Sequence, residues 1–217
     1  MEQAATAFCF NTKLDQTILL GKKAHNIEQL LSAIRTIPDA SIYFHTHKFL
    51  QQHHYLSPEP PNDFSYWVAD VLNEATLGEN LASIDIKQFH KISHLRDGFT
   101  KILDAYLHSS HRSVEAPAGQ EFHFMSSQTF VLQTPYAARD LTEFKEILGK
   151  VSIHSLYYHV FDASLRTDQE GNDFSAWFRR MGEAKLADEV LRLDPYTYTL
   201  EGLRQKLIHL VDLYGKH

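Results

Sequence analysis

Slid against itself by 114 residues, this chain meets its own pattern again, and no other feature of the sequence constrains the fold as much. Phe8 and Phe10 fall on Phe122 and Phe124, and Ala24 falls on Ala138. Ser41, Tyr43 and His45 fall on Ser155, Tyr157 and His159. The loop that follows is four residues shorter the second time, so the offset drops to 110. Asn62-Asp63-Phe64-Ser65-Tyr66-Trp67 then meets Asn172-Asp173-Phe174-Ser175-Ala176-Trp177. Two further single-residue shifts bring Glu74, Ala75, Leu77 and Asp85 onto Glu183, Ala184, Leu186 and Asp194. They also bring Leu95, Arg96, Asp104 and Tyr106 onto Leu203, Arg204, Asp212 and Tyr214. The expectation is a tandem internal duplication, copy one at 8–107 and copy two at 122–215. The polar stretch 108–121, with Pro117 and Gly119 and no apolar period, reads as the linker.

Apolar spacing predicts a mainly α architecture with pseudo-twofold symmetry, the copies packing either as two domains or as one compact body. Ile27, Leu30, Leu31 and Ile34, and again Leu141, Phe144, Leu148 and Val151, recur every three or four residues, as on one helical face. Longer stripes close each copy: Leu95, Phe99, Ile102, Leu103 and Tyr106 in one, Leu203, Leu207, Leu210, Val211 and Tyr214 in the other, with Gly215 as terminator. Asn62-Asp63 and Asn172-Asp173 sit where helix N-caps belong. Ile42, His45, Thr46 and Phe49 share a helical face, so the aromatic segment from Ser41 reads as helix. Only the alternating pairs Phe8-x-Phe10 and Phe122-x-Phe124 read as strand, which allows at most a small β pairing.

The formal charge of −6 and the lack of a basic stripe argue against nucleic acid as a partner. No apolar stretch approaches the ~20 residues that cross a bilayer, and the N-terminus does not read as a signal peptide. A lone cysteine, Cys9, rules out an internal disulfide and suits a reducing cytoplasm; its expected role is to pack as a small apolar residue. Nucleophile elbows, phosphate-cradling loops and dinucleotide fingerprints are missing from the sequence.

The order Ser-Ile-Tyr-Phe-His-Thr-His at 41–47, Asn-Asp-Phe-Ser-Tyr-Trp at 62–67 and Leu95-Arg96 resembles an uncharacterised bacterial protein family of unknown function. Glu121-Phe122-His123-Phe124, Asn172-Asp173-Phe174-Ser175 and Asp194-Pro195-Tyr196 extend the likeness over nearly the whole chain. The resemblance implies a bacterial cytoplasmic protein and supplies no chemistry.

Polar residues matched in both copies are the candidates for a site: His45, Asn62, Asp63 and Arg96 with His159, Asn172, Asp173 and Arg204. One reading makes them the lining of a groove between the copies, in a non-catalytic binding or scaffolding module that takes a protein or small-molecule partner. The alternative brings His45, His159, Asp63 and Asp173 together around a divalent transition metal, in a hydrolase or oxygenase whose metal-bound water is the nucleophile. A structural reading stands beside both: a histidine on an apolar face usually donates to a nearby carboxylate, Asn-Asp caps a helix, and a helix arginine pairs inside the bundle. Histidine is abundant, 14 of 217 residues, and two further groupings have metal-like spacing. His90 and His94 are four apart on an expected helix, and His45, His47, His53 and His54 cluster in copy one. Both read more simply as solvated or packed side chains.

Overall fold

The computed structural model describes residues 7–48, 62–89, 91–109, 114–163, 171–193 and 197–215. Phe49, His53, His54, His90 and Asp194-Pro195-Tyr196, all singled out from the sequence, lie outside the described residues. Strand β1 runs Phe8–Ala24 and strand β2 runs Phe122–Ala138, and the two pair as an antiparallel, two-stranded sheet.

The mainly α, duplicated body with pseudo-twofold symmetry is therefore corrected. The fold is mixed α/β, ten α-helices among the described residues with two 17-residue strands in place of a small β pairing. The repeat stays a property of the sequence, and a duplication is not shown by the fold. Length is where the strand reading failed. Buried and exposed residues alternate only at each strand's start, Phe8-Cys9-Phe10 and Phe122-His123-Phe124. Beyond Leu14 and Gln128 nearly every residue of either strand is exposed or half-exposed, so no two-residue period marks it. What holds these stretches extended is main-chain hydrogen bonding to the partner strand, which side-chain patterns do not record. Cys9, on the face opposite Phe8 and Phe10, is exposed and does not pack as expected.

The chain divides into two compact units. One is Asp15–Gln128; the other is Met1–Leu14 with Thr129–His217. Each strand thus gives one part to each unit.

In Asp15–Gln128 the helices are α1 (Ile27–Ile34), α2 (Asp39–Tyr43), α3 (Asp63–Tyr66), α4 (Ala75–Ala82) and α5 (Ile92–Ser109). α2 runs on as a π-helical turn, Phe44–Lys48, and α3 as another, Trp67–Val71. α1 starts where the Asn26 side chain accepts the Gln29 N–H at 2.9 Å, satisfying one of the donors a helix start leaves free. The expected linker is fastened here. Asn26 Nδ2 donates to Glu115 at 2.6 Å, the Ala116 N–H to the His25 carbonyl at 2.7 Å, and Trp67 Nε1 to the Gln120 carbonyl at 2.8 Å. The Glu121 carboxyl is held below the usual carboxylate range by its own backbone N–H and then by that of Gly119. Gly119, at φ 85°, makes the turn that feeds β2.

α4 packs on the second π-helical turn with almost no gap. A Cβ at Gly78 would stand 2.6 Å from the Ala69 Cβ. Gly78→Ala is accordingly expected to destabilise the protein by about 1–2 kcal/mol, although alanine ordinarily favours a helix over glycine. Urea unfolding followed by circular dichroism measures this, and a gain in stability would show that the contact relaxes freely.

In the other unit the helices are α6 (Leu141–Leu148), α7 (Ile153–Val160), α8 (Asp173–Arg180), α9 (Ala184–Leu191) and α10 (Leu200–Tyr214). Asp140, Ser152, Asn172 and Thr199 cap four of them through side-chain oxygens. α10 ends where Gly215 turns extended, φ −64° and ψ 130°, with its N–H on the Val211 carbonyl.

The aromatic pair opening each strand packs on the helices that follow the other strand. Phe8 and Phe10 enter a cluster with Phe144, Phe174 and Trp177, in which Phe144 stacks on Trp177 at 5.4 Å between ring centres. Phe122 and Phe124 sit with His45, and Phe122 with Phe64 and Trp67 as well. Each such ring is worth roughly 1.5–3 kcal/mol of burial. These rings fix where each strand starts, and with it the site.

Candidate functional site

Ser41 and His45 are four positions apart, as are Ser155 and His159, so in each unit a hydroxyl and an imidazole project from one helical face, a turn apart. Opposite that face lies the start of a strand. In the unit Asp15–Gln128 the Met125 N–H donates to His45 Nε2 at 3.0 Å, and Ser41 Oγ donates to the Met125 carbonyl at 2.6 Å. In the other unit the Asn11 N–H donates to His159 Nε2 at 2.8 Å, and Ser155 Oγ donates to the Asn11 carbonyl at 2.6 Å. Both main-chain groups of one strand residue are thus taken by a Ser/His pair, much as a neighbouring strand would take them.

The other ring nitrogen is committed as well. His45 Nδ1 lies 2.7 Å from Asp63 Oδ2, and His159 Nδ1 lies 2.7 Å from Asp173 Oδ2. Nε2 accepts a hydrogen bond, so the pattern assigns the proton to Nδ1, which donates to the carboxylate. Both imidazoles are buried, 1% and 2% exposed, which removes water as a competitor for these bonds. Each aspartate is set in place by its neighbour. The Asn62 side chain accepts the Ser65 N–H at 2.8 Å and the Asn172 side chain accepts the Ser175 N–H at 2.9 Å, so Asp63 and Asp173 open α3 and α8.

Arg96 and Arg204 are not part of these constellations. Arg96 donates to the carbonyls of Ile34 and Ile37 and to Asp39, and Arg204 donates to the carbonyls of Leu148 and Val151, both at 2.7 Å. In each case the guanidinium satisfies acceptors left over at and beyond a helix C-terminus. Sequence reasoning placed His45 with Asp63 and His159 with Asp173 but passed over Ser41 and Ser155. Their signal was present: both serines are matched across the repeat, one helical turn before the histidine.

A divalent metal needs a free imidazole lone pair and several ligands. At His45 and His159 the unprotonated nitrogen accepts a backbone N–H, and among the described residues each histidine is paired with one carboxylate. Among the described residues no group of three His, Cys, Asp or Glu side chains stands close enough to hold a metal. The residues therefore do not fit the metal that the alternative reading calls for. His47 is buried, stacked on Tyr43 at 5.2 Å with Nδ1 on Thr46 Oγ1 at 2.9 Å, and His94 is exposed on α5.

Fold and site define a mixed α/β protein in which buried Ser/His/Asp sets on the helices hold the main chain of a long two-stranded sheet. The chain belongs to a family of unknown function, DUF5752, whose model matches residues 5–212. Its structure is similar to the solved structure of OrfY from Thermoproteus tenax, with 26% identity over 98% of this chain and 97% of that one and a TM-score of 0.80. No curated protein matches at a significant level. No helix among the described residues is long and apolar enough to cross a membrane.

Proposed function

We propose that this protein is a non-catalytic binding or scaffolding module, acting in the cytoplasm, whose contact surface is the exposed part of β2 and whose partner is a protein. The observation that carries the reading is the run from Gln128 to Ala137, where Phe130, Val131, Leu132 and Tyr136 are 43%, 49%, 51% and 36% exposed. Contiguous apolar side chains left in water on a strand with an open edge are the usual mark of a protein-binding surface. The buried His/Asp pairs support the same reading from the other side. Their hydrogen-bonding capacity goes to the strand, and none of their nitrogens is left to move a proton for a substrate.

Two measurements test this. Fluorescence anisotropy with a labelled peptide alternating threonine and valine, a generic extended strand, is expected to show saturable binding that weakens at least tenfold in Leu132→Lys. No binding by the folded protein would remove the surface. Mass-spectrometric metal analysis of untagged protein alongside His159→Ala is expected to find no stoichiometric metal in either. Near-stoichiometric metal that disappears in the variant would overturn the non-catalytic reading.

A further inference from the structure

Two residues beyond each clamped strand residue, the units differ. Asn11 and Met125 are held alike by a serine and a histidine, so Lys13 and Ser127 occupy the same strand position, each in its own unit. The helices facing them are in the same register as well. Phe161 stacks on Tyr157 at 4.5 Å, and His47 stacks on Tyr43 at 5.2 Å, one helical turn on in both cases.

In the unit that holds Lys13 this place is filled from within. The Lys13 ammonium pairs with Asp162 at 2.7 Å and lies over the Tyr157 ring, 4.5 Å from its centre. Lys13 is buried, and Tyr157 beneath it is 2% exposed. The cation thus meets a carboxylate and the negative face of an aromatic ring, the partners it needs away from water.

In Asp15–Gln128 the same place is built differently. Serine is shorter than lysine by several heavy atoms, and Tyr43 is half-buried where Tyr157 is covered. The acid is replaced too, since in the sequence Lys48 stands at the position matched to Asp162 at the offset of 114. Ser127 itself is 9% exposed, and its Oγ is buried with no hydrogen-bond partner among the described residues. A buried hydroxyl in that condition is rare, because nothing replaces the hydrogen bond it gave up on leaving water.

We propose that Ser127 is the donor of a binding site for the carboxylate of a small organic acid, seated beside Tyr43 in the place that Lys13 fills in the other unit. The hydroxyl gives its O–H to a carboxylate oxygen, a charge-assisted bond. The short apolar part of the acid covers the Tyr43 ring as the Lys13 stem covers Tyr157. Charge selects an acid over an amine. An ammonium would meet a lysine position where Lys13 meets Asp162, whereas a carboxylate meets a hydroxyl donor and a basic position. An acid of so few atoms binds weakly, with Kd on the order of 1 mM for acetate. The site and the strand surface proposed above stand or fall separately.

Two-dimensional 15N NMR of the full chain, titrated with sodium acetate against sodium chloride at equal ionic strength, tests this. Saturable shifts are expected at the Ser127 and Tyr43 amides with acetate, and none with ethylammonium chloride. Ser127→Ala deletes the hydroxyl without adding bulk and is expected to weaken acetate roughly tenfold. Its fold is expected to survive, because the group removed has no partner to lose. Ser127→Cys, close in size and a far weaker donor, is expected to weaken acetate as well and keeps the test in force should the alanine variant unfold. A wild type without saturable shifts, acetate binding left unchanged in the folded variants, or ethylammonium binding at these amides in place of acetate overturns the proposal.

Discussion

Trp177→Ala is expected to lower the stability of the protein by about 3–5 kcal/mol, the largest loss for any single side chain described here. The indole is 1% exposed and lies within an aromatic cluster: stacked on Phe144 at 5.4 Å, and 5.6 Å from both Phe8 and Phe178. Truncation removes its burial and leaves a void between α6, α8 and the start of β1, which helices capped by Asp140 and Asn172 are poorly placed to close. For a chain of this size the loss corresponds to a fall in Tm of roughly 6–20 °C. Urea and thermal unfolding followed by circular dichroism measure it. A change under 1 kcal/mol would mean that Phe8 and Phe10 do not depend on this helix for their seat.

His159→Ala is expected to cost about 2–4 kcal/mol. The Asn11 N–H loses its acceptor inside the protein, worth ~1–3 kcal/mol by itself, and the ring leaves its contacts with Phe8, Phe10 and Phe174. A packing role alone would produce much of the same destabilisation, so stability is not the deciding readout. Residue-resolved amide exchange is. If His159 clamps the strand, the Asn11 amide exchanges much faster in the variant than in wild type, beyond what the global loss of stability accounts for. Ser155→Ala, which leaves the Asn11 N–H bonded, should leave that amide protected. Equal acceleration in both variants would assign His159 to packing only.

These two side chains show how far the sequence could be read. Trp177 and His159 both stood out by their matches to Trp67 and His45, and pairing each histidine with the aspartate of its own Asn-Asp dipeptide was among the readings available. Helix faces were legible because burial on one side imposes a period, and Ile27, Leu30 and Ile34 are buried as the spacing requires. Strand length was not legible, since the exposed parts of β1 and β2 bury neither face and their pairing is between main-chain groups over a hundred residues apart. The partners of the arginines were hidden for a related reason. Arg96 and Arg204 answer carbonyls at helix ends, and a sequence does not display carbonyls. The role of Ser41 and Ser155 was hidden in the same way, because their partners are the backbone groups of Met125 and Asn11.

The packing of each strand's opening rings on the helices after the other strand has a consequence for the order in which the chain can fold. The contact between Asn11 and His159 spans 148 residues, and that between Met125 and His45 spans 80. On the ribosome, helices α1 to α5 are complete before their own aromatic wedge, Phe122 and Phe124, has been made. Phe8 and Phe10 are made before the helices they pack on and find their seat only once α6 to α8 exist. Loop closure over such distances is slow, and it keeps Phe8 and Phe10 bare until the helices after β2 have been made. The segment that carries Phe8 and Phe10 is therefore where a chaperone would be expected to grip this protein.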